Sequence, residues 1–157
     1  MKKHIPLALA IFVAFVFLQS LIFKFAGLLG EPADITIIIF DTVGAWIGSI
    51  GLVAIGAAFA AYGGILIGLA ELVASVLILL PKTRFWGALL GLGVMSGAIF
   101  FHVFTPLGLF PYTDLECLQP GCPQEKPLFF MAVAVWGICL YFVIKLWPFG
   151  ERSGETI

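Results

Sequence analysis

Two long apolar runs joined by a short charged turn organise the chain. They cover Tyr62 to His102, YGGILIGLAELVASVLILLPKTRFWGALLGLGVMSGAIFFH, with Pro81-Lys82-Thr83-Arg84 between them. Each run is about 20 residues, the length an α-helix needs to cross a hydrocarbon core roughly 30 Å thick. The pattern predicts a membrane hairpin. In the first run Gly64, Gly68, Glu71 and Ser75 fall at helical spacing and share one face. In the second, Gly87, Gly91, Met95, Ala98 and His102 make a similar stripe. Small residues at that spacing let helix backbones approach closely in lipid, so Glu71 lies on the close-packing face.

Before the hairpin, apolar residues run from Ile5 across Lys24 to Leu29, longer than a signal-peptide core, and predict an uncleaved first span. Ser20, Lys24 and Gly27 share one face of it, and Gln19 lies below Lys24. Glu31-Pro32-Ala33-Asp34 reads as a turn, with Asp34 in position to cap the next helix. The following segment, to Phe59, is apolar enough to span, yet no polar loop separates it from the Tyr62 helix. Four or five crossings are therefore open.

Charge favours four, because positive residues prefer the cytoplasmic side of short loops. Lys2, Lys3, Lys82, Arg84, Lys145 and Arg152 then lie inside, while Glu31, Asp34, Asp41, Asp114, Glu116 and Glu125 lie outside with Lys126. The expected fold is all-α. It is a four-helix transmembrane bundle with both ends cytoplasmic and spans at about 5–29, 60–80, 86–104 and 128–147. An additional periplasmic or interfacial helical segment is expected at about 34–59, and a cysteine-bearing periplasmic loop at 107–127. All of it makes a single integral membrane domain over 1–157.

Composition agrees. The chain is 62% hydrophobic and only 11% charged, too little polar surface for a soluble globule. A net charge of −1 without a basic cluster argues against nucleic acid as a partner and leaves membrane lipid as the first one. Cys117 and Cys122 flank a Pro120-Gly121 turn, which predicts a local disulfide. A working dithiol is the alternative, although the spacing is not Cys-x-x-Cys. Cys139, inside an apolar helix, reads as packing. No metal site is expected, because two cysteines and His102 offer too few ligands. Neither a nucleotide-binding loop nor a hydrolase motif occurs.

Glu71 in an apolar run, then Leu-Leu-Pro-Lys-Thr-Arg-Phe-Trp-Gly-Ala-Leu-Leu, closing with Met-Ser-Gly-Ala-Ile-Phe-Phe-His, resembles the DoxX family of small bacterial four-helix membrane proteins. Lys24 in Phe-Lys-Phe-Ala-Gly fits as well, and the likeness covers most of Ala14 to Leu109 and, more loosely, the last run. Some DoxX-like proteins are membrane subunits of thiosulfate:quinone oxidoreductases, others are linked to membrane complexes handling thiol and oxidative stress, and many have no known role. The resemblance implies a multi-pass bacterial inner-membrane protein, an accessory or redox subunit of a quinone-linked complex, with quinone as cofactor and other membrane or periplasmic subunits as partners. The outer loop looks longer than the family usually has, which favours the alternative of a purely structural docking subunit.

At mid-membrane an ionised Glu71 costs several kcal/mol unless it is paired or protonated, so it either ties helices together or relays a proton. Gln19 lies at a similar depth, which predicts a Gln19–Glu71 contact. Lys24 either snorkels to the outer interface, pairs with Glu71, or joins His102 in hydrogen bonding to a quinone carbonyl. Glu71, Lys24 and His102 are thus the candidate proton- and quinone-handling group, and Gln19, Lys24 and His102 the candidate quinone contacts.

Overall fold

The computed structural model describes residues 4–147; Lys2, Lys3 and Arg152, expected inside, lie outside that range. Among the described residues six helices follow one another: α1 (Ile5–Lys24), α2 (Ala26–Leu29), α3 (Asp34–Ser49), α4 (Val53–Leu79), α5 (Arg84–Phe104) and α6 (Pro127–Lys145). Among the described residues four of them, α1, α4, α5 and α6, are long and apolar enough to cross a membrane. This is the architecture of a multi-pass membrane protein, compatible with a four-helix bundle.

Proline sets several boundaries. Pro6 and Pro127 occupy first-turn positions of α1 and α6, where their missing N–H and fixed φ cost nothing. Leu80 and Thr105 each precede a proline and are extended, because the pyrrolidine ring crowds the residue before it out of the helical region. Between α4 and α5 the Pro81–Arg84 turn is more than a topology anchor. Thr83 Oγ1 donates to the Leu77 carbonyl at 2.9 Å and Arg84 Nε to the Ile78 carbonyl at 2.9 Å, with Arg84 Nη2 3.3 Å from the Leu79 oxygen. These are the carbonyls that a helix end leaves without intrahelical partners.

Several expected boundaries move. The first helix stops at Lys24, not at 29; Phe25 leaves helical geometry and a separate four-residue helix follows. The segment expected at 34–59 is not one element. Its first part is α3, 16 residues long and shorter than the ~20 a crossing needs. Gly51, at φ +96°, turns the chain between α3 and α4, and its last part already belongs to α4, which is 27 residues long. Asp34 does not cap α3. Ala33 holds the cap position, and Asp34 Oδ2 instead accepts from the Leu115 backbone N–H at 3.4 Å.

α4 packs against α1, α3 and α5, and α6 completes the bundle against α5. The main core holds Val13 and Phe17 of α1, Ile78 of α4, Ala88 of α5, and Val135 and Phe142 of α6. A smaller core joins α3 (Val43, Ile47) to Leu107, with Phe59 and Phe101 packed against it at a ring separation of 5.4 Å. Two close approaches depend on glycine. A Cβ on Gly44 would lie 2.6 Å from the Gly56 oxygen, and one on Gly87 would lie 2.8 Å from the Leu77 carbonyl carbon. After α5, the loop folds back on itself through a Tyr112–Gln124 bridge, and Cys117 and Cys122 are joined in a disulfide with Cα atoms 5.6 Å apart.

Candidate functional site

The site starts from a helical repeat on α1. Ser20 and Lys24 are four residues apart and therefore stack on one face, which meets Glu71 on α4. Lys24 Nζ lies 2.8 Å from Glu71 Oε2 and 3.0 Å from Ser20 Oγ, and Ser20 Oγ lies 2.7 Å from the same Oε2. Ser20 Oγ is also 2.7 Å from the Phe17 carbonyl, so its single proton has two acceptors to choose between. Glu71 is 3% exposed and Lys24 17%. The lysine thus turns back into the bundle to neutralise the glutamate instead of reaching for the interface.

Three polar atoms are left over. Glu71 uses only Oε2; Oε1 accepts no hydrogen bond from the described residues. Lys24 carries three N–H donors and spends two on Ser20 and Glu71. His102 is buried, with Nδ1 2.8 Å from the Gly108 carbonyl. A carbonyl can only accept, so Nδ1 carries the proton there, and in its neutral form His102 presents Nε2 as an acceptor. Gly108 reaches this position at φ +73°, a left-handed conformation that glycine adopts at no steric cost.

All of these groups border one cavity of about 760 Å³ between α1, α3, α4, α5 and α6. Gln19, Ser20, Lys24, Glu71 and His102 supply its polar lining together with the Trp86 indole, and the remaining wall is apolar. Lys24 and Glu71 are in direct contact, and His102 borders the same cavity with its own bond to Gly108. The expected Gln19–Glu71 contact does not form: Gln19 Nε2 points to Met131 Sδ at 4.0 Å. Equal depth does not mean equal azimuth, and a one-residue step rotates a helical side chain by about 100°.

Ser20 was not among the candidates, although its four-residue spacing to Lys24 on the Glu71-facing side was visible in the sequence. Cys139 is fully buried beside Gly91, in the expected packing role. Among the described residues, no group of three or more His, Cys, Asp or Glu side chains is arranged to hold a metal ion. No protein-family model matches the chain, and neither does a curated protein or a solved structure.

Proposed function

We propose that this chain is an accessory or redox subunit of a quinone-linked complex in the bacterial inner membrane, holding a quinone in the cavity between its helices. One observation carries the reading: a large, mainly apolar cavity has Lys24, Glu71 and His102 on its wall, with Glu71 Oε1 and one Lys24 N–H unspent. Ligand pockets commonly combine an apolar wall with a few convergent polar groups. The resemblance of Glu71 to His102 and of Lys24 to the DoxX pattern supports the same reading. The charges at the Lys82, Arg84 and Lys145 end support a cytoplasmic position for that end, which puts His102 toward the periplasm.

When bound, a quinone supplies a couple of two electrons and two protons, the electrons being exchanged with a partner protein. The third N–H of Lys24 then donates to a ligand oxygen, and Glu71 Oε1 and His102 Nε2 accept from its hydroxyls. Because Nδ1–H is committed to Gly108, neutral His102 suits a quinol hydroxyl better than the quinone carbonyl expected from the sequence. The Lys24–Glu71 pair sets each charge against its opposite until a ligand arrives.

The test is to extract the tagged protein gently from its native membrane and assay bound quinone. Wild type should carry it in stoichiometric amount, and Glu71→Gln combined with His102→Ala should carry at least tenfold less. Unchanged quinone content, with unchanged electron transfer in the native membrane, would overturn the reading.

A second reading has its own observation. Among the described residues every fully buried side-chain nitrogen and oxygen already has a partner, as a purely structural subunit requires. Its outer loop would then be the docking surface, and deleting Leu115 to Gln124 should detach a partner while the bundle still inserts.

A further inference from the structure

α5 carries glycines of two kinds. A Cβ on Gly91 would come within 3.0 Å of Cys139 Sγ, yet one on Gly93 or Gly97 would meet nothing within 4 Å. Helix packing therefore explains Gly91 and leaves Gly93 and Gly97 unexplained, and both border the cavity. The same wall continues through Leu89 to Trp86, which are 39% and 54% exposed. The cavity thus has a polar region at Lys24, Glu71 and His102 and an apolar floor that runs out to the lipid-facing side of α5. Glu71, almost fully buried, lines it, and its bonds from Ser20 and Lys24 both go to Oε2.

We infer that this floor is a lateral slot for one long hydrocarbon tail, entered from the bilayer: the ligand's head rests at Lys24, Glu71 and His102, and its tail lies over Gly97 and Gly93 toward Trp86. This rests on the quinone reading above and specifies the class of quinone, one with a long isoprenoid tail. From His102 to Trp86 the wall extends about 24 Å at ~1.5 Å per residue, well past the midplane of a core roughly 30 Å thick. A phospholipid acyl chain begins at the interface and ends near the midplane. A tail whose head already sits inside the core and which still crosses the midplane belongs to a long-chain isoprenoid.

Gly93→Leu and Gly97→Leu test this cleanly, because the space beside each is open and leucine is the better helix former. Binding is measured in detergent for a benzoquinone with a long isoprenoid tail and for the same head without a tail. The leucine variants should bind the tailed quinone at least tenfold more weakly and the tailless head as wild type does, while Glu71→Gln should weaken both. Equal binding of the tailed quinone by wild type and both leucine variants overturns the slot and leaves the head site standing. Binding of neither quinone by wild type overturns both readings. Native phospholipid that co-purifies with wild type and is lost from the leucine variants, with quinone binding unchanged, assigns the slot to a lipid chain and overturns the proposal.

Discussion

α4 and α5 touch backbone to backbone near the Pro81–Arg84 turn, and toward their other ends they meet through rings, Phe59 against Phe101 at 5.4 Å. Near the turn, a Cβ on Gly87 would come within 2.9 Å of Ala74 O as well as against the Leu77 carbonyl carbon. Farther along α5, Gly93 and Gly97 face open space, and α3 packs against Phe59 and Phe101. One helix thus uses glycine for two opposite ends, contact and clearance. A stripe of small residues in a sequence does not say which, because both need the same absence of a side chain.

The sharpest way to break this contrast is to fill both regions with the same side chain. Gly87→Leu forces a side chain into backbone that has no room to give, so its cost should exceed the ~1–3 kcal/mol typical of an overpacked core. No monodisperse folded protein is expected on size-exclusion chromatography, whereas Gly97→Leu should elute and melt like wild type. Equal behaviour of the two variants would dissolve the distinction.

Glu71 stands where contact gives way to clearance. Glu71→Ala leaves Lys24 mostly buried without its counter-charge, and thermal unfolding in detergent should report a loss of about 3 kcal/mol, the low end for a broken buried pair. Lys24→Met combined with Glu71→Leu should recover most of it, since no charge is then stranded. Failure of the double variant to recover would mean that the pair holds α1 to α4 by more than charge neutralisation.

At the packed end, Arg84→Ala removes charge-assisted bonds to two α4 carbonyls and a contact over the Phe142 ring, 5.7 Å from its centroid. A loss of about 2 kcal/mol is expected, read as a lower melting temperature. The smallest effect should come from the loop after α5. Cys117→Ser with Cys122→Ser opens a short ring, and closing short rings constrains the unfolded chain least. The bundle's melting temperature should stay within error of wild type while limited proteolysis of the loop accelerates; a large drop would show that the loop braces α3 and α5.

The spans were legible because length and apolarity suffice to define them: the hairpin from Tyr62 to His102 and the last run all correspond to helices. Their ends were less so. Apolar residues continue past Lys24, and nothing in hydropathy marks the break at Phe25. The stretch from Asp34 to Phe59 was ambiguous for a physical reason. Its apolar character serves packing against the first half of α4, through Gly44 and Gly56, as well as it would serve a crossing. In the site, charge logic offered the Lys24–Glu71 pair as one of three roles for Lys24, beside snorkelling and a quinone contact, and the pair is the one the structure contains. Depth alone chose Gln19 over Ser20, and only the direction each side chain takes around α1 separates the two. The capping of α4 by Thr83 and Arg84 was hidden behind the more obvious role of basic residues in a loop.

α4 is 27 residues long, hence about 40 Å at ~1.5 Å per residue, some ~10 Å more than the core it crosses. A bilayer accommodates such a rod by letting it lean. Because Gly87 fastens α4 to α5 low down and Gly44 with Gly56 fastens α3 to α4 high up, a leaning α4 carries α3 along like the arm of a lever. Ile39, Phe40 and Val43 on that arm line one wall of the cavity, so the lean of α4 and the position of that wall are a single variable.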